Sequence, residues 1–161
     1  MSLLPPDTLN AIGVLKRREI EARILKPILE AFAQEIGWER TLAILETIIG
    51  EIAKQQGQEL AEAMGGCSLQ YFAASLENWQ KDDAMHIEIL AQNEEQFHFN
   101  VLRCRYAEMY RALGMEKLGS LLSCKRDQAL IEGFNPSIKL TRNHTIMEGA
   151  PYCDFRYQHK K

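Results

Sequence analysis

Residues 85–114, MHIEILAQNEEQFHFNVLRCRYAEMYRALG, change their hydrophobic period part-way along, and that change decides the fold. Met85, Ile87 and Ile89 alternate with His86 and Glu88, and Phe97, Phe99 and Val101 alternate with His98, Asn100 and Leu102, the two-residue repeat of half-covered strands. The intervening AQNEEQ reads as a hairpin loop. Helical spacing then runs from about Tyr106 to Leu113 and, after Gly114, from about Glu116 to Ile131, with Gly133 and Pro136 as stop signals. Two more strands are expected near 137–147 and 151–158, giving the order ββααββ with a mainly antiparallel four-stranded sheet.

Upstream, residues 1–82 read as a helical scaffold. Ile20, Ile24, Ile28, Phe32 and Ile36 recur every four positions, joined by Leu25 and Leu29, as one broad helical face in which Pro27 should introduce a kink or a break. Gly37 separates a second helix carrying Leu42, Leu45, Ile49 and Ile52, which ends at Gly65-Gly66. Ser68 is the expected N-cap of a third, with Leu69, Phe72, Leu76 and Trp79 on its buried stripe. The whole chain is expected to form a single α+β domain over 1–161, with the chemistry in the 83–161 half.

Bulk properties narrow the function classes. A chain of 161 residues is long enough to bury a core without a metal or disulfide. Net charge is −3 and the charges are dispersed, which argues against nucleic acid as a partner. There is no apolar run of membrane-spanning length and no leader pattern at the N-terminus, so a cytoplasmic protein without membrane contact is expected. Cys67, Cys104, Cys124 and Cys153 lie far apart, without a C-x-x-C pair, and read as free thiols or thiolate ligands.

The reactive residue types gather in the second half. Cys104 stands where a strand hands over to a helix, near backbone N–H groups that lower a thiol pKa, with Glu108 four residues on. Cys124 and Asp127 repeat a thiol and a carboxylate at helical spacing, with Arg126 pointing elsewhere. Both pairs have a plain alternative, a core thiol beside a solvated acid. Alternation over 137–147 turns Arg142 and His144 inward with Ile138, Leu140 and Ile146, and a buried guanidinium needs an anion such as Glu108, Asp127 or a substrate carboxylate. On the last strand Cys153, Phe155 and Tyr157 share one face, and Tyr152, Asp154 and Arg156 the other, where Asp154 and Arg156 are read as an ion pair or as binding across neighbouring strands. His86, His98 and Cys67 lack partners at ligand spacing and read as structural.

RCRYAEMYRALG at 103–114, C-x-x-D at 124–127, GFNP at 133–136 and MEGAPYCDFRY at 147–157 together resemble the L-2-amino-thiazoline-4-carboxylic acid hydrolase family. The resemblance implies hydrolytic opening of a five-membered ring containing sulfur and nitrogen to give N-carbamoyl-cysteine, and Cys104, Glu108, Cys124, Asp127, Gly149, Cys153 and Asp154 occupy its motif positions. On that footing Cys153 or Cys124 is the expected nucleophile, Asp127 and Glu108 the general base and acid, and Arg142 the anchor of a substrate carboxylate, with Asp154 and His144 as further binding residues. No cofactor is required for this chemistry.

The ββααββ half also resembles vinyl-reductase-type ligand-binding domains of aromatic sensors, which can hold zinc through cysteines and a glutamate. Cys124 and Cys153 fall near such positions, whereas Arg142 and Thr145 stand where the other ligands would be. A non-catalytic binding or sensor module, with a structural zinc or a plain thiol site, is therefore the alternative function. A third is a helix-assembled protein without turnover. The breadth of the first helical face makes a homodimer through the N-terminal helices an expectation of the sequence.

Overall fold

Gly13 and Gly37, both at positive φ (100° and 83°), bracket the first long helix, α1 (Val14–Ile36), because the backbone on either side must turn where only glycine is unstrained. The computed structural model describes Pro5 and residues 7–161. The expected break at Pro27 does not occur: α1 runs through it, with Pro27 on the exposed side, where water can satisfy the carbonyl freed by its missing N–H. The buried face of α1 is Val14, Leu15, Arg18, Ala22 and Leu29. The stripe of isoleucines is the other face, and it is open, Ile24 reaching 63% exposure.

Helix α2 (Trp38–Met64) returns alongside α1 and ends at the left-handed Gly65. Leu45 and Ile49 are buried, but Ile44, Ile48 and Ile52 continue the exposed apolar face. Ser68 caps α3 (Leu69–Ser75) by accepting a hydrogen bond from the Tyr71 N–H, and Leu69, Phe72 and Leu76 are buried as their spacing requires. The short α4 (Glu77–Gln80) leads to the sheet.

Strands β1 (Met85–Gln92) and β2 (Gln96–Cys104) form the expected hairpin, whose turn is held by Asn93 Oδ1 accepting from the Glu95 and Gln96 N–H groups. After α5 (Arg105–Ala112) and α6 (Glu116–Gly119), a π-helical turn at Ser120–Cys124 joins α7 (Arg126–Phe134). The strands β3 (Ile138–Thr141) and β4 (Cys153–His159) complete an antiparallel sheet of order β1-β2-β4-β3. The fold class is thus the one the sequence implies, α+β with a helical N-terminal part and a four-stranded antiparallel sheet.

Gly133 does not end its helix. It lies inside α7 at a crossing with α2, where a Cβ would fall 1.9 Å from the Lys54 carbonyl oxygen, while a Cβ on Gly57 would fall 2.0 Å from that of Leu130. The two glycines let the main chains touch, which fixes α7 against α2 with no side chain between them.

Two apolar clusters result. One joins α1, α2, α5 and α6 around Leu29, Leu45, Tyr110, Leu118 and Leu122; the other joins α3, α7 and the sheet around Phe72, Phe99, Leu130, Ile131 and Tyr157. Trp79, Met85, Cys104 and Ile146 border both, and a cavity lies along that seam.

Candidate functional site

The π turn carries the cavity's helical wall. Its extra residue, closed by the Lys125 N–H on the Ser120 carbonyl at 2.8 Å, presents Ser123, Cys124, Arg126, Asp127 and Leu130 to the same space. The sheet contributes Phe99 and Val101 from β2 and Cys153, Phe155 and Tyr157 from β4, in register through the Val101 to Cys153 and Phe99 to Phe155 pairs. Cys104, Tyr106, Arg18, Phe72 and Trp79 close the rest. The space is about 90 Å³, room for several waters or a small ring, since one water needs roughly 10–15 Å³.

Asp127 is the acid of this cavity. Its side chain keeps 26% of its surface open and lines the cavity. Burial lifts its carboxyl above the ordinary carboxylate value, and Arg142 offsets only part of that lift. Arg142 donates Nη1 to Asp127 Oδ2 and Nη2 to the Cys124 carbonyl at 2.6 Å, and its guanidinium lies 4.8 Å from the centre of the Phe155 ring. Burial works against the Arg142 charge, but Asp127 outweighs it and holds the guanidinium protonated. Arg142 does turn inward, as the strand alternation implies. It is not the open anchor expected for a substrate carboxylate, because its charge is already met by Asp127.

Burial disfavours the thiolate at all three cavity cysteines. Burial pushes Cys153 up to about 11 and raises Cys124 further; Asp127 also disfavours a thiolate at Cys124. Cys104 does sit against the Tyr106 and Ala107 N–H groups at the start of α5, but burial outweighs them and its pKa is raised rather than lowered. Cys153 Sγ accepts the Ile146 N–H at 3.2 Å.

Three expected site residues fall outside. Glu108 is exposed and paired with Arg103 at 2.8 Å, because Cys104 is the extended residue before α5 (φ −130°, ψ 105°) and the four-residue helical relation does not reach back to it. Strand β3 stops at Thr141, so alternation no longer governs His144, which is exposed and stacks on Tyr152 with ring centres 5.6 Å apart. Asp154 faces away from the cavity side of β4. It accepts the Asn143 and His144 N–H groups at 3.0 and 2.6 Å, holding the loop after β3; these bonds keep its carboxyl below its usual value despite burial. Its expected partner Arg156 instead reaches across to Asn100 Oδ1 at 2.8 Å and the Phe99 carbonyl.

Arg18 is a lining residue that the sequence did not suggest, and Arg126, expected to point elsewhere, lines the same cavity as Cys124 and Asp127. Each stands in a run of apolar residues spaced mostly by four, Val14-Arg18-Ala22 in α1 and Leu122-Arg126-Leu130-Phe134 towards and along α7. An arginine in a leucine ridge is the signal that would have found them.

The zinc set implied by the sensor-type resemblance does not fit. Among the described residues no three His, Cys, Asp or Glu side chains are arranged to hold a metal, and the cysteines share their space with the guanidinium of Arg142.

A four-stranded antiparallel sheet backed by helices, with one acid, three arginines and three thiols around a small cavity, defines an α+β protein of this architecture. The chain belongs to the L-2-amino-thiazoline-4-carboxylic acid hydrolase family, whose model matches residues 17–157. No curated protein matches it by sequence. Among solved structures it is similar to a trafficking protein particle complex subunit 3 from Naegleria fowleri covalently bound to palmitic acid, at 10% identity over 90% of this chain and 96% of that one, with a TM-score of 0.50. It is also similar to the phenol-responsive sensory domain of the transcription activator PoxR with phenol, at 11% identity over 99% of this chain and 76% of that one, with a TM-score of 0.49. At 10% identity the likeness to the trafficking subunit is one of fold. Among the described residues no helix is long and apolar enough to cross a membrane.

Proposed function

We propose that the cavity opens a small carboxylate-bearing ring by hydrolysis, with 2-amino-thiazoline-4-carboxylate, the compound in the family's name, as the type substrate. The observation that carries this reading is Asp127, a largely covered carboxylate that lines the cavity and is held beside Arg142. Water adds through its oxygen to the ring carbon between sulfur and nitrogen, and the C=N double bond becomes a single bond whose nitrogen takes up one water proton. As the carbonyl forms, the C–S bond breaks and the departing sulfur takes up the other. Asp127 accepts that second proton from the attacking water and returns it to sulfur. A carboxyl lifted above its ordinary range is better matched to that exchange than a solvated one.

The thiols enter as thiols. A covalent route through Cys153 or Cys124 first requires Asp127 to take the thiol proton, so both routes run through the same carboxylate. The product carries a free thiol that the substrate lacks, and the test is thiol release from the purified chain. Release by the native chain, lowered about 100-fold or more in Asp127→Asn, supports general-base hydrolysis. Binding of the compound without release would favour the other reading, a ligand-binding module, which the aromatic lining of Phe72, Trp79, Phe99 and Phe155 suits.

The functional unit in this reading is a homodimer. Ile20, Ile24, Ile28 and Phe32 on α1 and Ile44, Ile48 and Ile52 on α2 are exposed on two helices that pack together, and apolar ridges spaced by four suit packing against a second copy.

A further inference from the structure

Arg126 is 5% exposed, yet among the described residues it has no carboxylate within ion-pairing distance. Its Nη2 donates to Gln56 Oε1 at 2.5 Å, a neutral amide, and its Nε is buried with no partner. The neighbouring acids are committed elsewhere. Glu21 takes Arg17 on Oε1 and Arg18 on Oε2, Asp7 takes Arg17, and Asp127 takes Arg142. Around this corner Arg17, Arg18 and Arg126 stand against Asp7 and Glu21, which leaves one positive charge unmatched. A buried guanidinium without a counter-ion is a costly arrangement in a low-dielectric interior.

Both Arg18, 4% exposed, and Arg126 line the cavity. We infer that Arg126, flanked by Arg18, is the seat for the carboxylate of the cavity's ligand, and that the bound anion completes a charge network left one short. The identity of the anion as a carboxylate rests on the proposed ring-opening function. The unmatched charge does not. A single carboxylate balances a single surplus cation, and its two oxygens match the guanidinium fork. Burial and the nearby Arg18 already press the Arg126 pKa down to about 10, a strain that an anion would relieve. Arg126 and Asp127 are consecutive on α7 and so project about 100° apart. A small ring whose carboxylate meets Arg126 therefore has its opposite edge free for the wall that carries Asp127.

The experiment compares binding of 2-amino-thiazoline-4-carboxylate and of its neutral 4-carboxamide to the native chain and to Arg126→Met, by calorimetry and by thermal unfolding. The native chain should bind the carboxylate at least about tenfold more tightly than the carboxamide, and Arg126→Met should bind the two equally. Without ligand, Arg126→Met should unfold at the same temperature as the native chain or higher, because it removes an unmatched charge. Equal binding of the two compounds by the native chain, or retained discrimination in Arg126→Met, would overturn the assignment. So would an Arg126→Met chain that cannot fold, since the guanidinium would then be a structural strut. Charge-selective binding without thiol release would sink the hydrolase reading and leave the anion seat standing; thiol release with the same KM for both compounds would do the reverse.

Discussion

Arg142, just beyond the end of β3, and Asp127, in the first turn of α7, meet as an ion pair inside the cavity, so the sheet and the helix layer each supply one half of its charge. Because burial outweighs Arg142, the Asp127 pKa is raised in the folded chain. A base must be ionised to act, so ring opening should fail on the acid side at a pH above the ordinary carboxylate value of 3.8. Arg142→Gln removes the opposing cation and should move that limb higher still. The sign for stability is the opposite of a normal salt-bridged acid: Asp127's contribution is complete below its ordinary value and is lost as pH rises through the folded one. A pH–rate profile of kcat/KM for the two chains checks the order of the limbs. An acid limb at or below the ordinary value would exclude Asp127 as the base.

The thiols should differ sharply in reactivity. Cys67 is exposed in the loop before α3, whereas burial holds Cys104, Cys124 and Cys153 in the protonated, unreactive form. Iodoacetamide at pH 8 should label one cysteine per native chain, at Cys67, and four only after unfolding, as read by peptide mass spectrometry. Rapid labelling of Cys153 in the native chain would show an open, reactive thiol there and would restore it as a ready nucleophile.

Gly133→Ala should be far more damaging than a helical Gly→Ala change normally is. Alanine is the better helix former by about 1 kcal/mol, but its Cβ would meet the Lys54 carbonyl at 1.9 Å, and overpacking of this kind costs about 1–3 kcal/mol or more. Gly57→Ala should behave alike. Denaturant unfolding measures both, and a stabilised Gly133→Ala would show that the α2 and α7 main chains do not touch.

The chain should sediment at twice its monomer mass, and Ile24→Glu or Ile48→Glu should halve that mass while leaving the circular dichroism of the helices unchanged. Both side chains are exposed in the single chain, so neither change disturbs its interior. A native chain that sediments as a monomer would rule out α1 and α2 as a self-association face.

The alternation of Phe97, Phe99 and Val101 was enough to place the hairpin, because strands with one covered face write that face directly into the sequence. The isoleucine stripe shows where such reading stops. Its spacing correctly marked an apolar helical face, but spacing carries no information on what lies against that face, and the face towards the interior proved to be the one with Val14, Arg18 and Ala22. The end of β3 was unreadable for a different reason. The N–H groups of Asn143 and His144 bond to the carboxylate of Asp154, a residue ten or more positions away, instead of to a neighbouring strand. Asp127 and the thiols were found because their types are chemical; Glu108 was wrongly joined to them because a helical offset was counted from a residue still in extended conformation.

The main-chain crossing of α2 and α7, at Gly57 against Leu130 and Gly133 against Lys54, has a consequence for how this architecture can be varied. Main chain rests on main chain there, so the angle at which α7 is mounted owes nothing to the side chains that α7 turns toward the sheet. Residues such as Asp127 and Leu130 can then be exchanged without altering how closely the two main chains approach. Mounting and furnishing are thus separable, and one frame can carry a lining that breaks a ring or a lining that merely holds its ligand.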